Sequence, residues 1–168
     1  SRAAVIEHSP TPSLPGIGEA SRIIAERFEA SGALGLLLID AAVVSSIERR
    51  HGEEARERAL GVLAAVIQDV ARERLKPQDL VVAGEVGRSE VIVLFFRKPG
   101  SAAFYRTEMP GFGQAVNRAL EQRGNKVFYP YLRKPPELWA GISVAIRNPK
   151  YGAASQLREL LEAARADA

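Results

Sequence analysis

An uninterrupted apolar run that ends at a carboxylate is the feature that most constrains the fold of this chain. Leu36–Ile39 are four apolar residues in a row, and Asp40 follows them directly. Such a run is typical of a strand covered on both faces, the usual condition of a central strand in an α/β sheet. Side chains at the end of such a strand reach the edge of the packed layers, where α/β proteins place acids and ligands. Asp40 is therefore either a site residue or a cap for the helix that follows, and the local sequence leaves both interpretations open.

Length and composition predict a soluble domain with a core of its own. The chain has 168 residues, of which 46% are hydrophobic and 26% are charged, and this size is sufficient for one core. The sequence contains no apolar run that approaches the roughly 18 residues of a membrane span, and no secretory signal pattern. It also contains no cysteine, which excludes disulfides and thiolate chemistry and fits a reducing compartment. We expect a cytoplasmic protein without membrane insertion.

Charge is unevenly distributed along the sequence. Residues 91–150 contain ten Lys or Arg against three acidic residues, a net charge of +7, whereas the whole chain carries +3. A basic half of this kind can attract nucleic acid, phosphorylated ligands or an acidic partner, or it can be an ordinary solvated face. The sequence has no zinc-finger spacing, no Gly-rich phosphate loop and no aromatic ladder. Nucleic acid is therefore not expected as a partner.

Hydrophobic periodicity predicts the element order α, β, α, α, β-hairpin, α, two strands, α. Residues 1–16 are proline-rich and are expected to be a linker or lead-in, and residues 17–168 a single domain from a longer protein. Helices are expected over 17–30, after Asp40 with a break near His51 and Gly52, over 110–122 and over 154–166. Strands are expected over 35–39, 80–83, 90–96, 127–132 and 138–146, with a loop over 98–109. The hairpin makes the sheet at least partly antiparallel.

The spacing of residues after Asp40 resembles that of the GGDEF domain of bacterial diguanylate cyclases. The family's first signature is approximately D-x-D-x-F-K-x-x-N-D-x-x-G-H. Here Asp40 takes its first acid, Ile47 an apolar position, Gly52 the glycine and Leu60 a leucine eight residues further on. The lead SLPG, the strand GISVA and the closing helix LRELLEAARADA resemble further family segments, so the resemblance covers nearly the whole chain. It implies an α/β, nucleotide-cyclase-like fold, with a central mixed sheet on a ferredoxin-like core covered by helices.

The same resemblance implies that the catalytic groups are incomplete. The family's G-G-D/E-E-F turn aligns with Gly87, Arg88, Ser89, Glu90 and Val91, so that only the first glycine and the glutamate are kept. Synthesis of cyclic di-GMP requires two divalent metals held by closely placed carboxylates. Ser89 offers a neutral hydroxyl where the family has an acid. Arg88 places a long side chain where nucleotide lies against bare backbone.

Three positions of the first signature depart from the family as well. Glu48 corresponds to the Asn that reads guanine, Ala42 to the second acid and Ser45 to the lysine. Asp40 and Glu90 are retained, which leaves open a single weak metal site. The vestigial active site is expected at seven positions: Asp40, Ala42, Glu48, Gly87, Arg88, Ser89 and Glu90.

Two further groups of residues are candidates for binding. Lys76 and Asp79 give K-x-x-D where the family has the R-x-x-D of its product-inhibition site, and a helix-ending lysine with a turn aspartate is the alternative interpretation. The aromatic and basic segment FYPYLRKPPELW is the candidate surface for a protein partner, because Tyr, Trp and Arg dominate interface hot spots. Its candidate contact residues are Tyr129, Tyr131, Arg133, Lys134 and Trp139.

These observations predict a catalytically inactive GGDEF-like domain that acts as a regulatory or protein-interaction module. The alternative is a nucleotide sensor that binds GTP or cyclic di-GMP without turnover, and the third reading is a weakly active diguanylate cyclase. No cofactor is expected, apart from Mg²⁺ if nucleotide binding persists. A protein and a guanine nucleotide are the expected classes of partner, and a homodimer is left open.

Overall fold

The computed structural model describes residues 14–101, 103–123 and 128–168. The elements follow in the order α1 Ile17–Ser31, β1 Ala33–Asp40, α2 Ala42–His51, α3 Glu53–Arg74, β2 Leu80–Ala83, β3 Glu90–Arg97, a π-helical turn Phe104–Glu108, α4 Met109–Arg123, β4 Trp139–Ile146 and α5 Ala153–Asp167. Most of the predicted lead-in, residues 1–13, lies outside the described part. None of the helices in the described ranges is long and apolar enough to cross a membrane.

The four strands form one sheet in the order β2-β3-β1-β4, and all their pairings are antiparallel. A parallel bridge from Gly16 to Ala83 adds to the edge of this sheet. β1 lies inside the sheet, and its residues 33–39 are all buried, as the apolar run predicts. A sheet of this kind with helices packed on it confirms the predicted fold class.

Successive side chains of β1 point to opposite faces of the sheet, so the core has two layers, one on each face. Leu37 and Ile39 pack with apolar residues of α2, α3 and α4, whereas Leu34, Leu36 and Leu38 pack with α1 and α5. Because helices cover both faces of the sheet, both sets of side chains must be apolar, and the strand reads as a continuous hydrophobic run.

The predicted break near His51 is confirmed, since α2 ends at His51 and α3 begins at Glu53. Gly52 between them has a φ of +94°, a left-handed conformation that glycine adopts without steric penalty. Its N–H donates to the carbonyl of Glu48 at 2.8 Å. The glycine therefore ends one helix and redirects the chain into the next.

The strand predicted over 127–132 is wrong in the part that the structure describes. Phe128–Tyr131 forms a turn, in which the N–H of Tyr131 donates to the carbonyl of Phe128 at 2.7 Å. Pro130 has no N–H to give to a strand ladder, which favours the turn. Residues 124–127 lie outside the described ranges.

The predicted loop over 98–109 also differs from the structure. It contains the π-helical turn, and α4 begins at Met109 rather than at Pro110. Phe104 and Met109 are both buried against the sheet. Burial of these two side chains is a tertiary contact that local propensity does not report.

The last helix packs closely on the edge strand β4. A Cβ added to Gly141 would lie 1.9 Å from the carbonyl oxygen of Ala164, so this approach requires a residue without a side chain. The Ser143 hydroxyl donates to the carbonyl of Leu160 at 2.6 Å. These contacts bring the C-terminal end of α5, with Arg165, to the strand ends at which Asp40 and Glu90 lie.

Candidate functional site

Asp40 and Glu90 lie side by side at one end of the sheet. β1 ends at Asp40, β3 begins at Glu90 and β4 begins at Trp139, and the antiparallel register pairs Asp40 with each of the other two. A cleft of about 210 Å³ opens at this end. Its lining includes five of the seven predicted site positions and one arginine from α5: Asp40, Ala42, Arg88, Ser89, Glu90 and Arg165.

The other two predicted positions lie beside this cleft. Gly87 is at the turn of the hairpin with a φ of +88°, which glycine adopts readily. Glu48 is on the exposed side of α2. The fold thus gathers the predicted residues at one end of the sheet, although only five of them share the described lining.

Asp40 precedes Ala41, the N-cap residue of α2, and its side chain binds the first residue of that helix. Its Oδ1 accepts a hydrogen bond from the N–H of Ala42 at 2.9 Å, which satisfies one of the free donors at the start of α2. The side chain is half-buried and also lines the cleft. Asp40 is therefore not the N-cap residue itself, and its role as a site residue stays a prediction.

Glu90 is buried and bound by an arginine. Arg165 Nη2 donates to Glu90 Oε1 at 2.5 Å, and Arg165 Nε donates to Oε2 at 3.3 Å. Hydrogen bonding to Glu90 raises the pKa of Arg165 above the ordinary arginine value, although partial burial opposes the rise. Both oxygens of this carboxylate are therefore occupied by the protein itself.

A second arginine joins Glu48 to Ser89. Arg56 Nε lies 2.9 Å from Glu48 Oε2, and Arg56 Nη2 donates to Ser89 Oγ at 3.5 Å. The backbone carbonyl of Ser89 accepts from the N–H of Ala41 at 2.8 Å. Glu48 is thus paired with a cation of the same chain.

The side chains of the cleft do not fit a divalent metal such as magnesium. Mg²⁺ prefers six oxygen ligands in octahedral geometry, with carboxylates among them. Within the described ranges, no group of three or more His, Cys, Asp or Glu side chains is placed to hold a metal ion. Both oxygens of Glu90 bind Arg165, and Ser89 supplies a neutral hydroxyl.

Asp79 lies in a buried network outside this cleft. Its Oδ1 accepts from the N–H of Phe96 at 3.0 Å and from Arg97 Nη1 at 2.7 Å. Its Oδ2 accepts from the N–H of Lys76 and from Arg97 Nη2, both at 2.9 Å. Arg97 Nη2 also donates to Glu108 at 2.7 Å. Burial by itself lowers the pKa of Arg97, but the hydrogen bonds to Asp79 and Glu108 outweigh it and raise that pKa.

Four protein donors therefore occupy the Asp79 carboxylate, which ties the start of the turn after α3 to the end of β3. The side chain of Lys76 is on the surface. A shared nucleotide-binding role for Lys76 and Asp79 stays a prediction.

The predicted partner surface is largely exposed. Trp139 is 71% exposed and Tyr129 is 72% exposed. Arg133 and Lys134 are exposed as well. Tyr131 instead contacts the rest of the domain, since its hydroxyl accepts a hydrogen bond from Arg58 at 3.0 Å. Trp139 pairs with Asp40 across the sheet, so this one residue of the surface lies at the same end of the sheet as the cleft.

Sequence reasoning did not identify Arg56 and Arg165 as residues of the site. Arg165 is 75 positions away from Glu90, and no pattern in the sequence connects the two. Arg56 follows Glu48 by eight positions and is separated from it by the bend at Gly52. Neither arginine lies on the same helix as its partner, so the i,i+4 rule that links charges on one helix could not reveal them.

Comparison with known proteins supports the fold. No protein-family model matches the sequence, and no curated protein matches it. Solved structures do match. The GGDEF domain of YfiN, also called TpbB, from Pseudomonas aeruginosa is 22% identical, with 95% of this chain and 87% of that chain covered and a TM-score of 0.58.

Two further structures show the same likeness. The coiled coil and GGDEF domain of DgcB from Caulobacter crescentus, in complex with c-di-GMP, is 17% identical over 98% of this chain and 81% of that chain, with a TM-score of 0.59. The diguanylate cyclase SiaD from Pseudomonas aeruginosa, in complex with its activator SiaC, is 15% identical over 96% of this chain and 59% of that chain, with a TM-score of 0.62. These likenesses confirm the predicted resemblance at the level of fold: the chain has the α/β fold of a GGDEF domain.

Proposed function

We propose that this chain is a GGDEF-like signalling domain that makes no cyclic di-GMP and acts as a regulatory or protein-interaction module. The observation that carries the proposal is the state of the retained acids at the cleft. Glu90 is bound by Arg165 at 2.5 and 3.3 Å, and Glu48 by Arg56 at 2.9 Å. Ala42 and Ser89 stand at the aligned positions of two family acids and carry no charge.

The chemistry of the reaction explains why this arrangement argues against turnover. Two divalent ions must neutralise a triphosphate and activate a ribose hydroxyl, which needs several carboxylate oxygens that are free to bind metal. Here the Glu90 oxygens bind a guanidinium, and one Asp40 oxygen binds the N–H of Ala42 at 2.9 Å. Two bound metals would have to displace these contacts. They would still lack carboxylates at Ala42 and Ser89, the positions at which the resemblance places family acids.

A direct assay of the whole chain tests the proposal. With GTP and Mg²⁺ or Mn²⁺, and with protein at a concentration comparable to that of GTP, we expect no cyclic di-GMP by chromatography. The Asp40→Ala variant sets the background, because it removes the retained acid at the strand end. Product that is made by the wild type and lost in Asp40→Ala would overturn the proposal.

Exposed aromatic and basic side chains support a protein partner. Trp139, Tyr129, Arg133 and Lys134 are exposed, and large aromatic and arginine side chains are the usual anchors of interfaces. The structural neighbour SiaD is in complex with an activator protein. A partner that binds Trp139 would contact the same end of the sheet at which Asp40 lies.

Replacement of Trp139 by alanine is expected to weaken partner binding on the order of 30-fold, because truncation of a hot-spot residue costs about 2 kcal/mol. The partner is first recovered by co-purification with the full-length protein, and affinity is then measured by calorimetry. Tyr151→Ala is the matched control, since Tyr151 is 59% exposed beyond the opposite end of β4. Equal affinity of Trp139→Ala and the wild type would exclude this surface.

A nucleotide sensor is the second candidate, and a basic cleft favours it. This cleft of about 460 Å³ is lined by Arg27, Lys76 and Lys98, among others. The neighbour DgcB is in complex with c-di-GMP. A ligand at 100 times its dissociation constant stabilises the native state by about 2.7 kcal/mol, so thermal unfolding with millimolar GTP or cyclic di-GMP separates the two candidates. A Tm that neither nucleotide changes would remove the sensor.

A further inference from the structure

β4 is an outer strand of the sheet, and its free edge is apolar. In the strand order β2-β3-β1-β4, β4 pairs with β1 alone. The strand Trp139–Ile146 contains no charged residue and no proline, and Val144 and Ile146 are 39% and 62% exposed. Natural proteins protect edge strands with such residues, because the unpaired N–H and C=O groups can otherwise pair with another chain. Any protection of this edge must therefore come from another part of the fold.

Hydrogen bonds along β4 show which of its main-chain groups face away from β1. The N–H of Arg147 donates to the carbonyl of Gly32, the residue before β1, at 2.8 Å. The N–H of Ile142 instead donates to Oδ2 of Asp167, in α5, at 2.8 Å. Main-chain groups of an antiparallel strand face its two sides alternately. Three residues of β4 therefore direct their N–H and C=O groups to the free edge: Ile142, Val144 and Ile146.

A second side chain of α5 closes the other end of this edge. Gln156 is buried, its Nε2 donates to the carbonyl of Ile146 at 3.0 Å, and its Oε1 accepts from the N–H of Asn148 at 3.0 Å. Gln156 and Asp167 thus make the hydrogen bonds that an added strand would make. Val144 lies between them, and among the described residues none binds its outward N–H or C=O.

The apolar side chains of this edge are self-complementary. Gly141 and Ser143 contact α5, so the side chains of Ile142, Val144 and Ile146 point to the opposite face of the sheet. If two β4 strands pair antiparallel with Val144 opposite its own copy, Ile142 of each strand lies opposite Ile146 of the other. Cross-strand apolar pairs of this kind stabilise a sheet.

The main-chain groups of the edge match in the same register. Val144 would exchange two hydrogen bonds with its copy, and the N–H of Ile146 would meet the C=O of Ile142. The remaining pair is the N–H of Ile142, which Asp167 holds, and the C=O of Ile146, which Gln156 holds. Groups that are bound by α5 would therefore face each other, and their side-chain partners would lie between the two strands.

We propose that Asp167 and Gln156 close the β4 edge against a second copy of this chain, and that loss of the Asp167 carboxylate lets two chains join their sheets through β4, antiparallel about Val144. The occupant is a second copy because the edge is complementary to itself about a two-fold axis, as the interface of a symmetric dimer must be. The inference goes beyond the proposed function and does not depend on it, and the cyclic di-GMP assay decides that function separately.

Sedimentation equilibrium of the whole 168-residue chain tests the inference. Asp167→Ala frees the N–H of Ile142, so each of the two chains can donate one further main-chain hydrogen bond to the other. The dissociation constant of the dimer is therefore expected to fall on the order of tenfold below that of the wild type.

Cysteine cross-linking locates the contact. The chain has no cysteine, so one introduced thiol reports one position. In the Asp167→Ala background, Val144→Cys is expected to form an intermolecular disulfide under mild oxidation, because the Cα atoms of a hydrogen-bonded antiparallel pair lie about 5.5 Å apart. Ala140→Cys in the same background is the matched control. It is also exposed, but the register separates its two copies by about 26 Å.

Three variants control for other causes of association. Asp167→Asn keeps an oxygen acceptor for the N–H of Ile142 and is expected to sediment as the wild type does. Glu162→Ala removes another exposed acid of α5 and is expected to have no effect. The double variant Val144→Lys with Asp167→Ala is expected to return to the wild-type behaviour, because two like charges would then lie opposite each other across the strands.

Either of two association results would overturn the inference. One is an Asp167→Ala chain that sediments as the wild type does, and the other is a cross-link that forms at position 140 as readily as at position 144. A measurement on the wild type applies even if the variant fails to fold. In amide hydrogen exchange followed by NMR, Ile142 is expected to exchange more slowly than Val144, because Asp167 holds its N–H. Equal exchange rates would show that this side chain does not close the edge.

Discussion

Replacement of Gly141 by alanine is expected to lower the free energy of unfolding by about 3 kcal/mol, the upper end of the usual cost of an overpacked core. The added Cβ would lie 1.9 Å from the carbonyl oxygen of Ala164 and 2.8 Å from the backbone nitrogen of Ala168. These are backbone atoms of the last turn of α5 and the residue after it, so no side-chain rotation can relieve the contact. The helix must move away from β4.

Urea denaturation followed by circular dichroism measures this change. Gly61→Ala is the matched control, because Gly61 lies inside α3 and a Cβ added there meets no atom within 4 Å. That variant is expected to raise the stability by about 1 kcal/mol, since alanine is the better helix former. A Gly141→Ala variant as stable as the wild type would show that α5 does not pack on β4 as closely as described.

Loss of the Asp79 carboxylate is expected to have an effect of similar size. The side chain of Asp79 is 0% exposed and that of Arg97 is 4% exposed. Asp79→Ala therefore leaves a buried guanidinium with Glu108 as its remaining charged partner, and it leaves the N–H groups of Lys76 and Phe96 without their acceptor. Breaking a buried ion pair in this way costs about 3–5 kcal/mol, which urea denaturation can resolve.

Two control variants separate the cost of breaking a buried ion pair from the effect of removing an exposed one. Glu26→Gln breaks the exposed pair with Arg22, whose side chain is 92% exposed, and it should change stability by no more than about 0.5 kcal/mol. The double variant Asp79→Leu with Arg97→Met should be more stable than Asp79→Ala, because it leaves no buried charge unpaired. An Asp79→Ala variant of unchanged stability would show that the carboxylate serves a purpose other than holding the fold.

Much of the fold could be predicted because its signals are local. The apolar run before Asp40 gives a doubly covered strand, and Gly52 gives the break between α2 and α3. The strand follows from its own apolar side chains, and the break follows from the conformational freedom of Gly52. Each signal lies within a few residues of the structure that it predicts. The segment 128–131 was predicted wrongly for the converse reason, because its aromatic residues suit a strand whereas Pro130 and a local hydrogen bond at 2.7 Å favour a turn.

The residues of the candidate site could be located only in part. The resemblance placed Asp40, Ser89 and Glu90 at one end of the sheet, and the register of β1 with β3 brings these positions together. The arginines that neutralise the acids were not predicted. Charge pairs formed between distant elements depend on how helices dock, and the sequence has 23 Lys and Arg among which to choose.

The sequence by itself determined the buried central strand, most of the element order and the uncharged residues Ala42 and Ser89, but not the turn at 128–131 or the π-helical turn. These follow from residue identity and from spacing along one chain. Only the tertiary structure decided what the remaining acids contact. Glu90 is paired with Arg165 because Gly141 lets α5 approach β4, and Asp79 is paired with Arg97 because β3 returns past the turn after α3. Those contacts depend on backbone packing between segments far apart in sequence, which no local pattern encodes.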